Sequence, residues 1–182
     1  MRAGLPKLII ERIPEWLLGK ADDREIAELL SRSFSTDFGG RSYFRTRQHL
    51  RFVHRSGGRI VAHMALQFRA MRLGGVLITV AGLADVATDE AHRGQGIAGQ
   101  MLHAVIANAK ASPADFLLLF GTARLYHAAG CHTFHNPMIW VELRDAVTGG
   151  VYREIAEELM VLSLRGAAWD DHAELDLLGS LF

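Results

Sequence analysis

The most informative pattern of apolar and polar positions lies between Ile78 and Ala111. β-Branched and small apolar residues fill the run from Ile78 to Leu83, which predicts a buried strand. A polar turn follows, and apolar residues then recur at helical spacing: Ile97, Met101, Leu102, Val105, Ile106 and Ala109. This stretch therefore predicts a strand that leads through a glycine-containing turn into a helix.

Apolar runs elsewhere predict further strands and two more helices. A short strand over residues 7–13 ends at Pro14, and a helix begins near Asp22 and Asp23, which are N-cap candidates. The apolar stripe of this helix consists of Ile26, Leu29, Leu30 and Phe34. The other predicted elements are strands over residues 50–54, 59–71, 116–120, 133–143 and 158–164, and a short helix within residues 121–130.

The order of these elements predicts an α+β fold. Glycine turns join the early strands into antiparallel hairpins, whereas the strand over residues 116–120 follows a helix and should run parallel to the strand at Ile78. We therefore expect a mixed, mostly antiparallel central sheet, flanked by helices, with one central parallel βαβ crossover. No repeat, linker or low-complexity segment interrupts the chain, so we expect a single domain over residues 1–182.

The segment over residues 35–47 is predicted to be a loop, yet it carries Phe38, Tyr43 and Phe44 among several arginines. Binding residues are common on loops, so these aromatic side chains predict a lid that faces a substrate. The alternative is that the rings fold back onto the core. The sequence does not decide between the two.

Composition limits the classes of partner. Lys plus Arg and Asp plus Glu each number 20, so no net basic charge favours a nucleic-acid partner. The single cysteine, Cys131, excludes an internal disulfide and fits a reducing compartment. No apolar run reaches the length of a membrane span, and no signal-peptide pattern opens the chain. We therefore expect a soluble cytoplasmic protein without a membrane partner.

The turn from Arg93 to Ala98 has the features of an anion site. The first backbone N–H groups of a helix lack internal partners and lie at the positive end of the helix dipole. Gly94 and Gly96 have no Cβ atoms to hold an anion away from these groups. The alternative is that the two glycines only allow tight packing. No Gly-Lys-Ser/Thr sequence follows, so the turn is not a P-loop.

The spacing Arg-x-x-Gly-x-Ala, with Val86-x-Thr88 shortly before it, resembles the acyl-CoA pyrophosphate loop of the GNAT N-acetyltransferase superfamily. The resemblance implies the GNAT fold, with acyl-CoA, in the simplest case acetyl-CoA, as co-substrate. It also implies that the central strand separates from its neighbour after Val86 to admit pantetheine. The co-substrate contacts that it implies come from Val86, Thr88, Arg93, Gly94, Gln95, Gly96, Ile97 and Ala98.

A second motif, Tyr126-x-x-x-Gly130, resembles the second CoA-binding element of this superfamily. The resemblance implies that Tyr126 is the general acid that protonates the thiolate of CoA as it leaves. The alternative is a half-buried tyrosine that only packs against the core. No metal is expected, because His132 and His135 lie three apart on a predicted strand and so face opposite sides.

Parts of the chain are similar to two groups within the superfamily. Gly39-Gly40-Arg41-Ser42, Ala62-His63 and Phe120-Gly121-Thr122 resemble the nodulation protein A acyltransferases. The strand over residues 60–69 and the tail over residues 169–182 resemble the aminoglycoside 2′-N-acetyltransferases. Neither likeness specifies a substrate.

The catalytic base is the least defined part of the predicted site. Several superfamily members use a glutamate on the central strand, but Gly82 and Ala84 occupy the positions where the resemblance places it. His63 on the neighbouring strand is our candidate for a base near neutral pH, with a structural histidine as the alternative. Asp85 is the other candidate, although alternation along a strand should turn it away from the face of Gly82 and Ala84.

Three functions are compatible with the sequence. The first is an N-acyltransferase, in the simplest case an N-acetyltransferase, in which an amine of a small molecule, protein or peptide attacks the thioester directly. The second is a non-catalytic acyl-CoA-binding or sensing domain that keeps the fold without the base. The third is a long-chain acyltransferase of the nodulation-protein type. The sequence leaves the acceptor amine open and is compatible with a homodimer.

Overall fold

A long antiparallel hairpin forms the centre of the protein. The computed structural model describes residues 7–182, and in it the strands β3 (Arg59–Leu73) and β4 (Val76–Thr88) pair along almost their whole length. The other elements, in chain order, are β1 (Glu11–Pro14), α1 (Lys20–Ser33), β2 (Leu50–Ser56), α2 (Ile97–Ala111), β5 (Phe116–Phe120), α3 (Arg124–Ala128), β6 (His132–Phe134), β7 (Pro137–Arg144), β8 (Val147–Ile155), β9 (Leu159–Ser163) and β10 (Leu175–Asp176).

The strands form one mixed sheet in the order β6-β9-β5-β4-β3-β10-β7-β8, and β2 and then β1 extend it from the first half of β3. β4 and β5 are parallel and are joined through α2, whereas β3 and β9 are antiparallel to their neighbours. The predicted α+β architecture with its central βαβ crossover is therefore confirmed. A second parallel pair, β7 with β10, was not expected from the sequence.

Alternating residues of β2 divide the core between the two faces of the sheet. Phe52 packs with the apolar side of α2, whereas the next residue, Val53, packs with α1. The two helices therefore cover opposite faces, and β4 runs between them. Within residues 7–182, no helix combines the length and the apolar character that crossing a bilayer requires.

α1 begins slightly earlier than the sequence predicts. Its N-cap is Gly19, so Asp22 and Asp23 lie within its first turn, where carboxylates complement the helix dipole. Phe34 lies just beyond its last turn and is 37% exposed. The fully buried residues of the predicted stripe are Ile26, Leu29 and Leu30.

The C-terminal third departs most from the sequence prediction. The strand predicted over residues 133–143 is two strands, β6 and β7, separated at Asn136, whose buried amide donates to the backbone oxygens of Asp170 and Ala173. β8 was not predicted, because all of its residues are exposed and none marks a buried face. β10 is only two residues long and lies between β3 and β7.

The tail that follows β10 returns to the middle of the sheet. Arg69 on β3 donates hydrogen bonds to the carbonyl oxygens of Leu177 at 2.8 Å and Ser180 at 2.6 Å. The ring of Phe182 then lies over Gly82 of β4, where a Cβ atom on residue 82 would clash with it. The absence of a side chain at Gly82 is therefore what allows the tail to end against the central strand.

Candidate active site

The turn before α2 forms a cradle of backbone N–H groups. Gly94 and Gly96 have φ angles of 74° and 76°, a region that favours glycine, and Gly96 is the N-cap of this 15-residue helix. The first turn of α2 carries no acidic residue, so no carboxylate opposes an anion there. Arg93 braces the turn through a hydrogen bond from Nε to the Thr88 carbonyl oxygen at 3.1 Å.

A depression of about 320 Å³ lies over this cradle. Leu125 of α3 forms its opposite wall. Val86 and Gln95 do not line the depression: Val86 packs against the core, and the Gln95 amide donates to the Ala91 carbonyl oxygen at 3.2 Å. The predicted co-substrate residues that line it are Thr88, Arg93, Gly94, Gly96, Ile97 and Ala98.

A wedge opens between β4 and β5 next to the cradle. The two strands pair only where residues 80–82 meet residues 116–118, and beyond Gly82 β4 is paired on its other side alone, with β3, as far as Thr88. The separation thus begins after Gly82, earlier than the predicted point at Val86. The unpaired edge of β4 offers backbone hydrogen-bonding groups to an extended ligand, which could add to the sheet as a strand does.

Tyr126 on α3 lies beside the wedge. Its ring packs against Gly121, where an added Cβ would be 3.4 Å from Cε2, and the residue is only 9% exposed. Burial, and to a smaller extent the nearby Cys131, raises the pKa of Tyr126 above its ordinary value. The phenol is therefore protonated at neutral pH.

A β-bulge turns Asp85 into the cleft beside β4. Asp85 and Val86 together oppose Met64 of β3, and Asp85 has a φ angle of 49°. Its carboxyl group lines the same cleft as Ala84, so the prediction that alternation turns it the other way is wrong. The Gln48 amide donates to Asp85 Oδ2 at 2.8 Å, and burial raises the pKa of Asp85 to about 6.

His63 lies directly behind this bulge and is fully buried. Its Nδ1 is 2.7 Å from the Asp85 carbonyl oxygen, and its Nε2 is 3.3 Å from Arg51 Nη1. A carbonyl oxygen cannot donate and a guanidinium cannot accept, so the ring carries one proton, on Nδ1. Burial, and then the charge of Arg51, lowers the pKa of His63 to about 3. A direct catalytic role for His63 stays a prediction. Its ring nitrogens contact the Asp85 backbone and the Arg51 guanidinium.

Arg51 anchors the rear of the site. Its Nε and Nη2 donate to the two carboxylate oxygens of Glu15 at 2.7 and 3.1 Å, and its Nη1 donates to the Ser42 carbonyl oxygen at 2.7 Å. The Arg51 side chain is 0% exposed and that of Glu15 is 11% exposed. Arg51 is thus a fixed positive charge whose Nη1 lies 4.0 Å from Asp85 Oδ2.

A cleft of about 410 Å³ opens in front of Asp85. Five of the nine phenylalanines in the chain line it, together with Arg45 and Glu158. The loop over residues 35–47 fits both predicted alternatives, because Phe38 is packed against α1 and also lines the cleft. The sequence did not identify Phe182 or Arg45 as site residues. The cluster of aromatic and arginine residues in that loop was the available signal for Arg45.

The family comparison adds an independent observation to this geometry. Residues 17–134 match the model of a family described as an acetyltransferase (GNAT) domain. The chain belongs to the GNAT acetyltransferase family. The matched span contains the cradle, the wedge, Asp85 and Tyr126, and it ends with β6, before the tail that brings Phe182 to the cleft.

Solved structures share the fold at low sequence identity. YhbS, a GNAT family N-acetyltransferase from Escherichia coli in complex with CoA, is similar with a TM-score of 0.62 and 18% identity over 97% of this chain and 92% of that one. A GNAT family acetyltransferase from Brucella melitensis in complex with acetyl-CoA gives a TM-score of 0.57 and 14% identity over 92% and 94% of the two chains. ElaA from Escherichia coli gives 0.58 and 15% over 85% and 98%. No curated protein sequence matches the chain.

Proposed function

We propose that this GNAT protein is an acyl-CoA-dependent N-acyltransferase, with acetyl-CoA as its simplest donor. The observation that carries the proposal is the arrangement along β4. An anion cradle lies at the end of the strand, an unpaired edge lies beside it, and a cleft with a buried carboxylate lies in front of it. A donor that lies along the edge would thus meet an acceptor in the cleft.

The cradle fits the pyrophosphate of CoA. The N–H groups of the first turn of α2 are free to bind an anion, and Gly94 leaves open the space that a phosphate would fill. The pantetheine arm carries amide groups, which can pair with the free edge of β4 as an added strand would. E. coli YhbS was solved with CoA and the Brucella enzyme with acetyl-CoA. Their shared fold supports this placement.

Asp85 is the base that the geometry supports best. An ammonium ion must lose a proton before its nitrogen can attack the thioester carbonyl, and a carboxylate that titrates near pH 6 is ionised at neutral pH. The proton passes from the acceptor to Asp85, directly or through one water molecule. His63 then acts as a positioning residue, because its Nδ1–H group holds the Asp85 carbonyl oxygen in the bulge.

Tyr126 is the proposed general acid. When the tetrahedral intermediate collapses, the carbon–sulfur bond breaks and the electron pair leaves on sulfur. A phenol with an ordinary pKa of about 10 can protonate a thiolate whose conjugate thiol has a pKa of about 8.5, and the burial that raises the pKa of Tyr126 adds to the energetic cost of this step. The nitrogen of the intermediate also loses its second proton, which restores the phenol of Tyr126 through water, and Asp85 releases the first proton to solvent. The products are an amide and the free thiol of CoA.

Thiol release from acetyl-CoA in the presence of a panel of amines tests the proposal. We expect amine-dependent release of thiol and an acylated product of matching mass. A protein that binds CoA in calorimetry but releases no thiol with any amine or any acyl donor would be a sensing domain instead. Faster turnover of a long-chain acyl-CoA than of acetyl-CoA would identify a long-chain acyltransferase.

A further inference from the structure

The cleft in front of Asp85 contains two opposite charges that do not neutralise each other. Asp85 projects from the bulge in β4, and Arg45 projects from the loop before β2. The two side chains influence each other electrostatically, yet within residues 7–182 they do not come within 4.0 Å and form no ion pair. A gap between opposite charges in one cleft is suited to a ligand that is itself a dipole.

Arg45 has spare hydrogen-bonding capacity. Its Nη1 donates to a main-chain oxygen of Phe182 at 3.1 Å and its guanidinium lies over the Phe44 ring, 4.9 Å from the ring centre. Its Nε is buried and has no hydrogen-bond partner among the described residues. A guanidinium offers five N–H donors in a planar fork that matches a carboxylate. A half-buried arginine with an unpaired buried Nε is stabilised by an anionic ligand.

Asp85 has an oxygen that is free to accept a hydrogen bond. Gln48 donates to Oδ2, while Oδ1 has no hydrogen-bond partner in the described part of the chain. Glu158 is a second carboxylate on the cleft, but it is exposed, so water screens its charge. Among the acidic groups of the cleft, Asp85 is therefore the one that should select an ammonium ion.

Most of the other residues that line the cleft are apolar. Phe38 and Phe44 come from the loop, Phe120 ends β5, and Leu181 and Phe182 come from the tail. Aromatic walls favour an apolar or aromatic group and exclude a second charge. The volume of about 410 Å³ lies within the range of small-molecule sites.

We propose that the acceptor is a free α-amino acid with an apolar, preferably aromatic, side chain. Its ammonium group meets Asp85, its carboxylate meets Arg45, and its side chain lies among the phenylalanines. The product is then the N-acyl amino acid, and the carboxylate distinguishes this acceptor from a peptide N-terminus, which lacks one. The inference rests on the proposed N-acyltransferase activity.

The test compares three amines that share one phenyl group, with acetyl-CoA as donor. L-Phenylalanine carries the carboxylate, L-phenylalaninamide carries a neutral amide, and phenethylamine carries neither. We expect kcat/KM for phenylalanine to exceed that for either analogue by at least about tenfold, because neither analogue offers Arg45 a carboxylate. In Arg45→Gln, the preference for phenylalanine should fall to about onefold. Arg41→Gln, the same change in the same loop but outside the cleft, should keep the preference.

Two kinetic results with acetyl-CoA would overturn the proposal, and a third comes from a change of acyl donor. One is an equal or higher kcat/KM for phenethylamine than for phenylalanine. The other is a loss in Arg45→Gln that is the same for all three amines, which would show a general structural effect. The proposal is also overturned if the wild-type protein does not acylate free phenylalanine and prefers decanoyl-CoA to acetyl-CoA. That result would show that the phenylalanine side chains of the cleft bind an acyl chain.

A binding measurement separates this inference from the proposed function. If no amine releases thiol, phenylalanine and phenethylamine can still be titrated by calorimetry into the protein saturated with CoA. Tighter binding of phenylalanine that is lost in Arg45→Gln would support the acceptor site even though acyl transfer had failed. No preference for phenylalanine in this titration would overturn the acceptor site on its own.

Discussion

Asp85 shows how one backbone angle changes the chemistry of a strand. Alternation predicts that it faces away from Gly82 and Ala84, and this holds only for an unbroken pleat. The bulge opposite Met64 adds one residue to β4 and so brings the carboxyl group into the cleft. An aspartate tolerates a positive φ better than most residues, but the sequence alone does not mark where a bulge falls. The residue type could be predicted as a candidate, whereas its direction could not.

The first prediction concerns the pH dependence that Asp85 imposes. A protonated carboxyl group cannot accept a proton, so kcat/KM of the wild type should rise as the pH increases through about 6, where Asp85 ionises. Asp85→Asn should lower kcat/KM by about 10²–10⁴-fold. Its remaining rate should then rise only at more alkaline pH, with the ionisation of the acceptor itself. Profiles measured with one acceptor would show both effects.

Glu158→Gln is the matched control, since it makes the same change from acid to amide on the same cleft. We expect its profile to keep the rise near pH 6. If Asp85→Asn also keeps that rise, another group supplies the base. His63→Ala tests the other candidate for the base. If His63 only positions Asp85, kcat/KM should fall by about tenfold or less and the rise near pH 6 should remain.

Tyr126 carries the second prediction. Tyr126→Phe should lower kcat by about 10²–10⁴-fold and leave the affinity for acyl-CoA nearly unchanged, because the hydroxyl acts only as charge develops on sulfur. Steady-state kinetics together with calorimetric titration of CoA would separate the two quantities. Tyr152→Phe, on the exposed edge strand β8, is the control and should change neither. An unchanged kcat in Tyr126→Phe would assign the proton to water.

At the scale of elements, the sequence predicts helices and strands best where buried apolar residues recur at a regular spacing. β5 has the predicted bounds, and α2 has the predicted buried stripe, because β4, α2 and β5 form the core of the crossover. β1 begins at Glu11, four residues later than predicted. β8 and β10 could not be predicted. β8 is exposed and β10 has only two residues, so neither shows an alternation of apolar and polar residues in the sequence. The wall that the tail adds to the cleft was therefore also missed.

The third prediction tests the cradle as an element. Gly94→Val and Gly96→Val place a branched side chain in the space proposed for phosphate and should weaken CoA binding by about tenfold or more. Both positions have positive φ, so backbone strain will also lower stability. Gly58→Val is the control for strain, because Gly58 has a φ of 80° and lies in the β2–β3 turn with open space around it. Gly58→Val should lose stability and keep its affinity for CoA. If all three variants have the same affinity for CoA, the phosphate site does not lie at this turn.

At the scale of the whole molecule, one buried ion pair connects segments that are distant in sequence. Arg51 of β2 binds Glu15 from the turn after β1 and Ser42 from the loop that lines the cleft, and it faces His63 of β3. Sequence reasoning could not identify this pair, because a charged residue on a strand is normally assigned to the solvent face. The pair holds the chain behind Asp85, so the stability of the fold and the shape of the site are linked there.

The last prediction measures that link. Glu15→Ala removes the carboxylate that accepts two hydrogen bonds from the fully buried Arg51, which should lower the free energy of unfolding by about 3–5 kcal/mol, somewhat less because Asp85 Oδ2 remains 4.0 Å away. Glu28→Ala is the control: its partner Arg59 is 3.8 Å away and both side chains are more than half exposed, so the loss should stay below about 1 kcal/mol. Urea unfolding would give both values.

The double variant Glu15→Leu with Arg51→Met should recover most of the loss, because it removes both buried charges together and the cost of Glu15→Ala comes from a charge left without a partner. A loss in Glu15→Ala as small as that in Glu28→Ala would show that Arg51 is not held by this pair.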